Sequence, residues 1–286
     1  MAAPVIHTVG TGKTYATISA ATAAAGVVSG DVIEVYAGGV VNVYTENVSF
    51  GVKRLYAKGM IPNQGVKIKN SGASNTVYNT GSYFFINNFA IENTAATKTA
   101  LYGAGGLWAY NCVLIGSGGA TGAYHSAGLA GGYFNCLAYG FTSNGFVYGG
   151  HCFHCGAFKN TTAGFSGNGG AASAAPLGCL AAGNGTDYLS CVDSPWQWNV
   201  SGDLTAPGVG SVTGFNTANC VNYAGNDFRI SQAARLTTLA RLPGYPLVAT
   251  DITGRRRPTR ERVFFAGPYH CFEQPTWGVG ELSGIA

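Results

Sequence analysis

Three acids cluster late in the chain, Asp187, Asp193 and Asp203, and two tryptophans, Trp196 and Trp198, fall among them. Paired carboxylates can cleave glycosidic bonds, and carboxylates can hold the Ca²⁺ of a lyase. Indoles beside such acids could stack on a sugar, so Trp196 and Trp198 are candidate glycan-binding residues. The competing reading is structural: Asp193-Ser194-Pro195-Trp196-Gln197-Trp198 is a loop that packs its indoles onto its own fold or a neighbour. Most of the other acids lie towards the two ends of the chain. No nucleophile is assigned, no cofactor is implied, and the expectation is a protein that is not an enzyme.

His151-Cys152-Phe153-His154-Cys155 has the residue types of a metal knuckle. A tetrahedral zinc site needs four converging ligands, usually from two such pairs, and no second pair exists. On a strand, residues 152 and 154 share one face while 151, 153 and 155 share the other, so the ligands cannot converge without a bend. No metal site is expected. Gly10-Thr11-Gly12-Lys13-Thr14 shares the end of a phosphate loop, but the position that should open that loop is His7. Arg255, Arg256, Arg260 and Arg262 lie with Arg257 in a basic run. They form either a solvated face or a docking surface for an acidic partner. No aromatic residues interleave with them, which argues against nucleic acid as the partner.

These residues sit in an unusual background. Charged residues make up 10% of the 286, against about 25% in an ordinary domain. Between Phe84 and Leu180 the only acid is Glu92 and the only Lys or Arg residues are Lys98 and Lys159. Glycine reaches 44 residues and apolar residues 47%, which suits many short strands joined by tight turns rather than disorder. No run of about 18 apolar residues suggests a membrane span. The start of the chain lacks the basic and apolar regions of a secretory signal. Export by the general secretory route is therefore not expected.

A loose repeat organises the middle. Ile86–Ile91, Ala109–Leu114, Tyr133–Ala138, Phe153–Ala157 and Leu177–Ala181 are similar short segments. Phe89, Cys112, Cys136, Cys155 and Cys179 are spaced by 23, 24, 19 and 24 residues. Several of these segments are followed by a polar turn such as Lys159-Asn160-Thr161-Thr162. That period suits one turn of a parallel β-helix, with each coil rising by one inter-strand spacing of about 4.8 Å. Equivalent residues then stack, and the five form an inward ladder in which small, apolar cysteine fits well. Stacked cysteines could bridge, and in a reducing compartment they would stay as thiols.

Before the repeat, Thr14 can cap a helix over Tyr15–Ala25, with Gly26 to end it. Val32–Tyr36 then reads as a strand. After the repeat, eight arginines fall between Asn226 and Arg262 and proline becomes frequent. The organisation expected is a terminal strand and helix over 1–30, a solenoid over 31–225, and a segment over 226–286 that covers the last coil or docks.

Two stretches are similar to the pectate-lyase-like right-handed parallel β-helix superfamily. The first runs from His7 to Ile18, with Gly30-Asp31-Val32-Ile33-Glu34-Val35 and Tyr44-Thr45-Glu46-Asn47-Val48 after it. The second is Asn226-Asp227-Phe228-Arg229-Ile230, followed by Thr250-Asp251-Ile252-Thr253-Gly254 and Arg257-Pro258. The resemblance implies an all-β, right-handed parallel β-helix with a capping helix at one end and a capping segment at the other. The fold serves lyases, hydrolases, adhesins and phage spikes, so function must come from sites. The resulting expectation is a structural protein on a virion surface, a bacteriophage decoration, head-fibre or tail-associated protein. Its partners would be other virion proteins or itself, as a homotrimer by the resemblance, and surface polysaccharide. The alternatives are a polysaccharide-degrading spike and an adhesin on the bacterial cell surface or outside the cell.

Overall fold

A computed structural model of the chain describes residues 3–37, 42–51, 53–61, 64–70, 72–81, 83–125, 131–148, 151–167, 176–191, 198–231, 241–243, 251–252, 263–265 and 267–268. Its strands alternate buried and partly exposed residues, as in Val32–Val35 and Tyr56–Gly59, so each strand feeds one face to an interior. Strands equivalent in successive coils pair in parallel. The result is an all-β parallel solenoid of three sheets with eight, eight and seven strands.

The first sheet runs from Ile6–Val9 through Val32–Val35, Tyr56–Gly59, Phe84–Asn87, Leu107–Tyr110, Gly131–Phe134 and His151–Phe153 to Pro176–Leu177. The second runs from Val43–Thr45 to Val200–Ser201 and the third from Val48–Ser49 to Thr186–Leu189. Register places Phe89 over Val66 and makes Cys112, Cys136, Cys155 and Cys179 successive rungs of one buried ladder. All four cysteines are free thiols with no exposed surface.

The interior keeps its volume coil by coil. Along the second sheet the inward series is Ile91, Leu114, Ala138, Ala157, Ala181. Along the third it is Leu101, Ala123, Phe146, Phe165, Tyr188. Where one series shrinks to alanine the other grows to an aromatic, which keeps the core close-packed. Phe146, Phe165 and Tyr188 stack with centroids 5.1 Å apart.

Five successive passages from the first to the second sheet turn through a left-handed residue: Asn88, Asn111, Asn135, His154 and Gly178. Asparagine tolerates that conformation, and its amide also bonds along the axis. Asn111 Nδ2 donates to Asn87 Oδ1 at 3.1 Å and Asn135 Nδ2 to Asn111 Oδ1 at 3.2 Å.

The first helix is shorter than expected, Ile18–Ala23, and its N-cap is Thr17 rather than Thr14. The reason is that Tyr15 is already committed: its N–H donates to Thr8 O and its carbonyl accepts from Gly10. Glu46 bonds the N–H groups of Ile18 and Ser19, and Lys53 Nζ bonds the carbonyls of Thr22 and Ala24, so both helix ends are tied to later coils.

The residues that follow the last coil divide into two parts. Residues 198–215 close the stack: Val200–Ser201 pairs on Leu180–Ala181, and Val212 bridges Val200 in turn. From the residues after 226, Phe228, Ile230 and Ile252 pack with Leu137, Phe158 and Leu180 of the second sheet. A hairpin of Cys220–Asn222 and Asp227–Ile230 sets Phe228 on Phe158, with ring centroids 4.4 Å apart and planes within 5°. Lys159 pins its turn by donating to Ala224 O and Asn226 Oδ1. Apolar burial explains the choice: Leu137, Phe158 and Leu180 point outward and would otherwise face water.

Candidate functional site

The asparagine row on the other side of the second sheet leads to the acid cluster. Phe141 N–H donates to Asn160 Oδ1, Asn160 Nδ2 to Asn184 Oδ1 and Asn184 Nδ2 to Asp187 Oδ1 at 2.8 Å. Asp187 is thus the terminus of a side-chain ladder. Its Oδ2 accepts the N–H groups of Gly202 at 2.6 Å and Asp203 at 3.1 Å. Asp203 Oδ2 accepts the Asp187 N–H, and its Oδ1 accepts the N–H and hydroxyl of Thr205.

The two carboxyls have opposite electrostatics. Burial raises the Asp187 carboxyl above the usual range, and the Asp203 charge adds to that, against the pull of its hydrogen bonds. Asp203 is held below the usual range: burial pushes it up, but the Thr205 hydroxyl and the N–H groups of Asp187 and Thr205 outweigh it. Asp187 is 1% exposed and both its oxygens are engaged, so no polymer substrate reaches it. Chemically this is a clamp that closes the last coil.

Trp198 does not stand beside these acids as an open ring. It occupies a left-handed corner with φ 43°, and its indole lies against Gly210 so closely that a Cβ there would overlap it. It packs on the cluster that contains Val200 and Phe215. Asp193, Trp196, Arg255, Arg256, Arg260 and Arg262 lie outside the described residues.

The bend that the His-Cys run lacked on a simple strand exists, at His154 with φ 52°. It turns both Cys152 and Cys155 into the core, while His151 stays exposed and His154 is buried at the corner. Among the described residues no group of three or more His, Cys, Asp or Glu converges to hold a metal. Burial pushes the thiols of Cys112, Cys136 and Cys155 far up and that of Cys152 to about 11, so these are inert packing groups at neutral pH.

Sequence reasoning missed the two outer faces that stay open. On the third sheet Tyr78, Tyr102 and Tyr124 are in register, the last two stacked at 5.4 Å. On the first sheet Trp108, Tyr110, Phe134 and Phe153 point outward, partly exposed, with Phe134 stacked 4.8 Å from Tyr110 and 4.9 Å from Phe153. The signal was present in the alternation Leu107-Trp108-Ala109-Tyr110, once the inward face is known to be Leu107 and Ala109. No family model, no curated protein and no solved structure matches this chain.

Proposed function

We propose that the chain is a structural, surface-binding solenoid of a virion, and that it works by presenting rigid faces rather than by catalysis. The observation that carries this reading is the pair of outer faces. They repeat along the axis at a spacing fixed by backbone pairing and have almost no charge over nearly one hundred residues. The interior gives them a stiff base, since every coil is packed on its neighbours. The resemblance of Gly30–Val35 and Asn226–Ile230 to pectate-lyase-like β-helices, a fold found in phage spikes, supports the same reading. The engagement of Asp187 and Asp203 by backbone donors supports a structural role for that acid pair.

The test is location together with chemistry. Antibody raised against the chain is used for immunogold labelling of virus particles and of cells from the source culture. The purified chain is incubated with host-surface polysaccharide and assayed for new reducing ends. Gold on particles without sugar release supports the proposal. Release of defined oligosaccharides makes the chain a spike enzyme, and gold on cells alone makes it an adhesin.

A further inference from the structure

The solenoid ends in two unlike surfaces, and the third sheet connects them. That sheet starts at Val48–Ser49 and finishes at Thr186–Leu189. At its start, Val48 N–H donates to Thr76 O and Phe50 N–H to Tyr78 O, so the backbone groups of Ser49 face the free edge. Beside that edge, between the strand and the first helix, is a groove of about 420 Å³. Its lining is mostly apolar and includes Ala23, Ser49, Phe50 and Lys53. It lies where a further coil would add its strand to the sheet. At the finish, Asp203 Oδ2 and Thr205 Oγ1 accept the N–H groups of Asp187 and Tyr188. Leu204, held between them on the last strand, is 85% exposed.

Apolar content, size and charge select the occupant. Of the eight large apolar residues that are exposed among the described ones, six sit at the two ends: Val5, Ile6 and Val28 at the start, Leu189, Leu204 and Val209 at the finish. A coil of about 23 residues at about 3.3 Å each has a perimeter of about 75 Å, so the end it bounds spans roughly 700 Å² with its side chains. A standard protein interface takes about 800 Å² from each partner, so one end is the right size to seat another. The charges are opposite. Lys53 lines the groove, while Glu46 spends both oxygens on the helix N–H groups of Ile18 and Ser19. The finish carries Asp203, and no Lys or Arg occurs between Lys159 and Arg229. We propose that the chain stacks head to tail on a second copy, with Leu204 of one copy seated in the groove beside Ser49 of the next and Asp203 facing Lys53. A contact between unlike ends does not close on itself, so successive copies extend a column along the solenoid axis. What the lateral faces bind is a separate matter, and either reading stands without the other.

Sedimentation velocity of the full chain, from micromolar to near-millimolar concentration, tests it. The expected result is a mass that grows with concentration through dimers to longer columns. Leu204 and Ala23 are both exposed, so Leu204→Asp and Ala23→Arg change the ends without entering the core. Each should weaken association at least tenfold, while Val221→Asp, on the lateral hairpin, leaves it unchanged. Circular dichroism and thermal midpoints verify that the variants fold. The decisive step mixes the two defective variants. Leu204→Asp keeps an intact groove and Ala23→Arg keeps an intact Leu204, so the mixture should form one-to-one dimers and nothing longer. A wild type that stays monomeric at every concentration overturns the proposal and leaves the groove to a different partner. Association that survives Ala23→Arg, or a mixture that stays monomeric, overturns it as well, because either result means that the two ends do not meet.

Discussion

Asp187 and Asp203 bond each other's backbone: the Asp187 N–H donates to Asp203 Oδ2 at 2.9 Å and the Asp203 N–H donates to Asp187 Oδ2 at 3.1 Å. Residues sixteen apart are thereby locked where the solenoid ends. Asp187→Ala strands the partly buried donors of Gly202, Asp203 and Asn184, so it should cost about 1–3 kcal/mol in chemical denaturation. Burial raises the Asp187 carboxyl in the fold, so the folded state holds that proton more tightly than the unfolded state does. Its contribution to stability therefore falls as pH climbs from the unfolded value of 3.8 through the raised folded value. Asp187→Asn should remove that decline from the stability–pH curve.

His125 gives the opposite slope. It is 2% exposed, and burial lowers its pKa below 6.5 against a smaller pull from the Gly105 carbonyl. The neutral ring is the folded form. Its contribution is complete above the unfolded value of 6.5 and is lost as pH falls from there through the folded pKa. Denaturation midpoints between pH 7.5 and 5 (about one unit above and 1.5 below the ordinary histidine value) should drop more steeply for the wild type than for His125→Gln.

The volume exchange across the core predicts a coupled pair. Phe146→Ala should cost about 3–5 kcal/mol through the cavity it leaves. Ala138→Leu alone should overpack its coil at a cost of roughly 1–3 kcal/mol. Ala138→Leu with Phe146→Ala should lose less than the two single changes combined, because both side chains share one coil's interior. Urea denaturation of the three variants measures this directly.

The fold was legible where side chains repeat at coil spacing. Phe89, Cys112, Cys136, Cys155 and Cys179 stood out by spacing alone, because each rung must supply an inward apolar group at one corner. The Asp187 clamp was hidden because its partners come from the next coil, at Gly202 and Asp203, and nothing local marks an acid as a ladder terminus. The cover of Phe158 by Phe228 was hidden for the same reason, as the two are seventy residues apart. The outward aromatics escaped notice because alternation fixes two faces but not which of them is interior.

Tyr133 tests the packing from another side. It is 1% exposed, and among the described residues its hydroxyl has no hydrogen-bond partner. Tyr133→Phe removes a buried, unsatisfied group without changing ring volume, so the variant should be about 1 kcal/mol more stable. A thermal midpoint below that of the wild type would contradict this.

A stack whose coils touch only their neighbours would peel from its open end one coil at a time. Here the chain comes back. Gln64 Nε2 donates to both Asn111 O and Ile252 O, Ile252 N–H donates to Pro268 O, and Gly267 N–H donates to Gly178 O. Four coils of the first sheet lie between the one before Gln64 and the one before Gly178. The returning segment therefore acts as a lashing along the axis. A pull on the end of the solenoid is shared with coils near its middle, and the last coil cannot open until that lashing has been stripped away.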